Sequence, residues 1–118
     1  DYWHDVNIVT HANLDAFMTF LADRKLYLIS KFAETVYSDA DLTADEDIFF
    51  IFGKETTGLP EEFMREHRED CLRIPMNDTH VRSLNLSNTA CMIVYEALRQ
   101  QGFPELEKTH VYEKDKLK

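Results

Sequence analysis

Apolar residues recur along this chain with two periods, and the two alternate. Residues 6–10 (VNIVT), 26–30 (LYLIS), 48–52 (IFFIF) and 71–76 (CLRIPM) are apolar runs of strand length. Between the first two, Leu14, Phe17, Met18 and Leu21 fall on one helical stripe, with Asn13 placed to cap it. A short helix is predicted over 60–67. Pro60 suits its first turn, and Glu61 and Glu62 favour the positive end of its dipole. The clearest helix covers 87–100, where Ala90, Ile93, Val94, Ala97 and Leu98 form an apolar stripe that Gly102 and Pro104 end. Strands separated by helices predict an α/β domain with a mainly parallel sheet flanked by helices. The continuous apolar run of LYLIS suits burial on both sheet faces. Ligands of such sheets bind outside the carboxyl ends of the strands. Two polar loops, 53–59 and 77–87, leave strands at that end, so the site is expected there.

Composition narrows the class without naming a function. The 118 residues suffice for one domain, read as 1–118. No run approaches the roughly 18 apolar residues of a membrane helix, and DYWHDV has no signal-peptide pattern. The first residue is not Met. Cys71 and Cys91 form no CxxC pair and read as small buried hydrophobes of a reduced, cytoplasmic chain. The five histidines have no metal-ligand spacing, so no metal site is expected. A net charge of −9 argues against gripping nucleic acid over the whole surface, though local basic clusters remain at 24–31 and 65–73.

Three stretches carry candidate chemistry. GKETTG (53–58) is neither a Walker A loop nor a GxGxxG fingerprint, because its Lys follows the first Gly and the middle Gly is missing. Gly53 permits close backbone approach or positive φ at a strand end, Gly58 a second sharp turn, and Glu55 offers a carboxylate between them. An ordinary strand-to-helix turn accounts for the same residues. In SLNLSN (83–88), Ser83, Asn85 and Ser87 share one side if the segment is extended. One of Asn85, Ser87 or Asn88 is explained as a helix cap; the set beside a helix N-terminus suggests a polar ligand. IPM (74–76) places Pro75 where a strand should end, with carbonyls and amides near a possible planar base. His80 and Arg82 read either as RNA contacts or as a solvated loop.

FGKETTGLPEEF, RIPM and RSLNLSNTACMIVYEALRQQGFP, in this order and spacing, resemble the SPOUT class of RNA methyltransferases. The match is to the small single-domain enzymes that methylate the ribose 2′-hydroxyl at the wobble position of tRNA, and it covers nearly the whole chain. The resemblance implies a SPOUT-type α/β fold with a C-terminal trefoil knot, although knots are nearly absent from proteins. It implies S-adenosylmethionine (S-adenosyl-L-methionine) as methyl donor, held at Ile29, Gly53, Ile74 and Ser83. Glu55 and Asn85 match the family's catalytic-motif glutamate and asparagine, with roles in positioning the ribose and organising the loops. Neither is an obvious base for the hydroxyl. The implied partners are the anticodon stem-loop of tRNA and a second copy in a homodimer, whose usual contact lies around Tyr95.

The chain departs from the family in one respect. An opening strand and helix bearing a PEIPxNTGNIxR-like segment does not occur, so the domain is expected to be N-terminally incomplete and to methylate poorly alone. Two other readings stand beside the enzyme. One is a non-catalytic SPOUT-like module that binds cofactor or RNA. The other is a generic doubly wound nucleotide-binding domain.

Overall fold

The computed structural model describes residues 3–77, 79–80 and 84–117. Four parallel strands form one sheet: β1 (Lys25–Ile29), β2 (Thr35–Val36), β3 (Ile48–Phe52) and β4 (Cys71–Arg73), in the order β2-β4-β1-β3. The longest α-helices are α1 (Leu14–Leu21), α2 (Glu61–Glu66) and α3 (Leu86–Gln100). The centre of β1 is buried on both faces, as its unbroken apolar run requires. Leu26 and Leu28 pack with Leu21 of α1 and Phe63 of α2, while Tyr27 turns the other way toward Leu42, Leu72 and Ala97 of α3. Strand alternation thus divides the core into two layers around one sheet.

Local signals explain the helix ends. Asn13 caps α1, its Oδ1 accepting from the Ala16 amide at 2.8 Å. After α3, Gly102 adopts φ +84°, its amide donating to the Arg99 carbonyl while that of Phe103 donates to Leu98. This is a Schellman stop, which glycine favours because no Cβ opposes the left-handed turn.

Several expectations change. Residues 6–10 form no strand; they are exposed, and no neighbouring strand pairs with them among the described residues. The two-residue β2 was not foreseen, being too short to have a period. β4 stops at Arg73 rather than 76, since Pro75 has no amide hydrogen for a ladder. Cys71 is buried as expected and Cys91 is exposed on α3, because the helix turns residue 91 away from its buried face. Val94, placed on the inner stripe, is 43% exposed, whereas Thr89, Ile93 and Ala97 are buried. No helix among the described residues is long and apolar enough to cross a membrane.

Candidate active site

The register sets the geometry. Ile29 at the end of β1 pairs with Phe52 at the end of β3 and with Leu72 of β4, so three carboxyl ends lie side by side. The chain after β3 does not leave directly. Gly58 donates its amide to the Lys54 carbonyl at 2.8 Å, closing a tight loop with Glu55, Thr56 and Thr57 at its exposed tip. Gly58 takes φ +70° to make that closure. The returning backbone then packs on Gly53, whose missing Cβ would lie 2.2 Å from the Gly58 carbonyl carbon and 2.3 Å from the Leu59 nitrogen. The close backbone approach that Gly53 permits is thus made by this chain's own loop, and Gly53 also lines the cleft described next. Leu59 follows, buried in the core, and anchors the far side.

Two clefts flank the loop. The broader, about 1330 Å³, opens toward α2, where Arg65 pairs with Glu61 and Glu62 and Arg68 pairs with Glu34. The narrower, about 510 Å³, lies over the strand ends and the start of α3. That volume is typical of a small-molecule site. It brings together Ile29, Gly53, Glu55, Ile74 and Asn85 from four separate parts of the sequence. Ser83, and Arg82 beside it, lie outside the described residues. His80 is exposed in the second loop.

Asn85 answers the question of capping. It is the N-cap of α3, its Oδ1 accepting from the Asn88 amide at 3.2 Å. Ser87 lies inside the helix, so the extended alternation of 83–88 does not persist. With Oδ1 so engaged, the NH2 of Asn85, a residue that lines the cleft, is the group left to donate. Glu55 has no hydrogen-bond or ion-pair partner among the described residues, and its carboxylate is accessible at the loop tip. Sequence reasoning missed Met64 and Thr89 as further lining residues. Thr89 was findable: it lies four positions after Asn85, on the same face of a helix that starts there.

The cleft combines apolar walls with polar backbone at the strand ends. Its walls at Ile29 and Ile74 are apolar, and β3 and β4 end where the cleft begins, leaving the next peptide groups outside the ladder. Among the described residues, no group of three or more His, Cys, Asp or Glu is arranged to hold a metal ion.

The profile of the SpoU rRNA Methylase family matches residues 1–95. This chain belongs to that family. A relative from Lactococcus lactis subsp. cremoris, provisionally named a tRNA (cytidine(34)-2′-O)-methyltransferase, is 68% identical over the whole chain, which spans 71% of its length. Among solved structures, an RNA methyltransferase from Bacillus anthracis, so named provisionally, superposes with TM-score 0.85 at 42% identity, covering 91% of this chain and 67% of its own. A structure described as giving insight into 2′-hydroxyl methylation of C/U34 on tRNA gives TM-score 0.75 at 35% identity, covering 86% of this chain and 61% of its own. The SpoU methyltransferase AviRb from Streptomyces viridochromogenes, solved with S-adenosylmethionine, gives TM-score 0.58 at 28% identity, over 76% of this chain and 34% of its own.

Proposed function

We propose that the protein transfers a methyl group from S-adenosylmethionine to the ribose 2′-hydroxyl of the wobble nucleotide of tRNA. The observation that carries this reading is the convergence of Ile29, Gly53, Glu55, Ile74 and Asn85 on one cleft at the carboxyl ends of β1, β3 and β4. The relatives' names favour an enzyme over a binding module.

When bound, the donor supplies an electrophilic methyl group on a sulfonium. The chain's own contribution is alignment, from which most of the rate of an in-line displacement should come. The closed loop 54–58 and the backbone beyond β4 hold the donor, with Ile29 and Ile74 as apolar walls and Ser83 as a further contact. Glu55, with no partner in the described residues, accepts hydrogen bonds from the ribose hydroxyls. Asn85 donates from its amide group while its oxygen keeps α3 capped. A trefoil knot formed by the loops around 53–59 and 74–83 would hold these pieces in one place.

In this reading the protein works in the cytoplasm, on the anticodon stem-loop. It does so as a homodimer, through the α3 surface where Met92, Val94 and Tyr95 are exposed.

The test is incubation with tRNA and radiolabelled S-adenosylmethionine, followed by nuclease digestion and mass spectrometry of the wobble nucleoside. A 2′-O-methylated ribose at that position is expected. Folded protein that neither binds the donor in calorimetry nor labels tRNA overturns the reading.

A further inference from the structure

Phe32 is 74% exposed, the most exposed Phe or Tyr ring among the described residues. It stands three residues beyond the end of β1 and lines both clefts. A large ring in water is unremarkable on a floppy loop, but this turn is held from several sides. The Ser30 amide donates to the Leu72 carbonyl at 3.0 Å, extending the contact between β1 and β4. Ser30 Oγ accepts from the Phe32 amide at 3.1 Å, and the Ser30 carbonyl accepts from Ala33 at 3.2 Å. The Arg73 guanidinium donates to the Lys31 carbonyl. The backbone under the ring is therefore fixed to the two central strands.

Charge around the ring is informative in a chain of net charge −9. Lys31 Nζ lies 5.4 Å from the ring centroid, and Lys54 lines both clefts. Neither lysine has a carboxylate partner among the described residues, whereas Arg65 and Arg68 do. The carboxylates lining these clefts are Glu34, facing Arg68, Glu61, facing Arg65, and Glu69 in the broader one, and Glu55 at the loop tip in the narrower.

We propose that Phe32 is a stacking platform for a base of the RNA substrate, with Lys31 and Lys54 set to receive the adjoining phosphate. A fixed exposed ring beside two uncompensated ammonium groups matches the two surfaces of a nucleotide: a base with a π face and a charged backbone. The place matches as well. A ribose hydroxyl brought to the cleft must have its base, or its neighbour's, held outside, and Phe32 is an exposed ring of the cleft's lining. Stacking tolerates any base, so the platform supplies grip while sequence choice lies elsewhere.

The proposal rests on the RNA methyltransferase reading, and its test separates the two. Phe32→Leu and Phe32→Trp are compared with wild type for binding of a synthetic anticodon stem-loop RNA, for S-adenosylmethionine affinity and for melting temperature. Phe32→Leu should weaken RNA binding about ten-fold or more, the usual loss of one aromatic stack. Donor affinity should change far less than RNA affinity, although Phe32 also lines the narrower cleft, and melting temperature should stay at its wild-type value. Phe32→Trp should restore RNA binding, and its emission, corrected for that of Trp3, should be quenched by the RNA. Undiminished RNA binding by Phe32→Leu, absence of quenching, or a parallel loss of donor affinity overturns the platform. Quenching and RNA binding without donor binding or methylation would overturn the methyltransferase reading and leave the platform standing.

Discussion

The Cβ that Gly53 lacks would lie 2.2 Å from the carbonyl carbon of Gly58, so the loop over the candidate site closes only because residue 53 has no side chain. The neighbour is backbone and cannot swing aside. Gly53→Ala should therefore displace the 54–58 loop, lower the melting temperature and abolish measurable S-adenosylmethionine binding. Gly58→Ala meets no steric neighbour and bears only the left-handed φ, about 1–2 kcal/mol. It should melt a few degrees lower and still bind the donor. Calorimetric titration of both variants checks the contrast, and normal donor binding by Gly53→Ala would sink it.

Asn85 has two jobs in the proposed mechanism, and two substitutions separate them. Asn85→Ala removes the cap and should cost about 1 kcal/mol. Asn85→Asp keeps an oxygen for the Asn88 amide and should hold stability, since Asp caps as well as Asn. It loses the side-chain donor, so methylation should fall at least ten-fold, an order-of-magnitude figure for one lost site hydrogen bond. Wild-type activity in Asn85→Asp would reduce Asn85 to a cap.

The end of α3 is pinned to the segment before β3 through Gln100. Its Oε1 accepts from the Leu42 amide at 2.8 Å, and its Nε2 donates to the Ala40 carbonyl at 3.0 Å. Leu42 is fully buried, so Gln100→Ala leaves polar groups beside it unpaired. A loss of about 1–3 kcal/mol is expected. Thermal or denaturant melting measures it, and an unchanged midpoint would mean water replaces the amide.

Acid should loosen the same anchor. Hydrogen bonds from Arg99 and then from Gln100 hold the Glu96 carboxyl below its ordinary value of 4.5. Its side chain is only 12% exposed. A group whose value is depressed in the folded state stabilises the fold above its unfolded value and loses that contribution as pH falls through the folded one. Stability should thus decline as pH drops below about 4.5. Glu96→Gln should flatten part of that decline. Asp41, also held low by Thr43, acts in the same direction and should retain the remainder. Identical pH profiles for wild type and Glu96→Gln would count against this anchor.

Some of this was written in local pattern. The cap at Asn13, the Gly102 stop and the doubly buried β1 each depend on a few neighbouring residues, so spacing alone disclosed them. The motifs GKETTG, IPM and SLNLSN also marked the loops that meet at the cleft. Other features needed the folded chain. VNIVT has a strand's composition, yet a strand requires a partner, and none stands beside it among the described residues. The outward turn of Val94 depends on which face of α3 is laid on the core, the one bearing Ile93 and Ala97. The sequence by itself determined that two glycines would bracket a turn after β3. Only the tertiary structure decided that one of them is there to admit the other's backbone, because a contact between residues 53 and 58 exists only once the loop has closed.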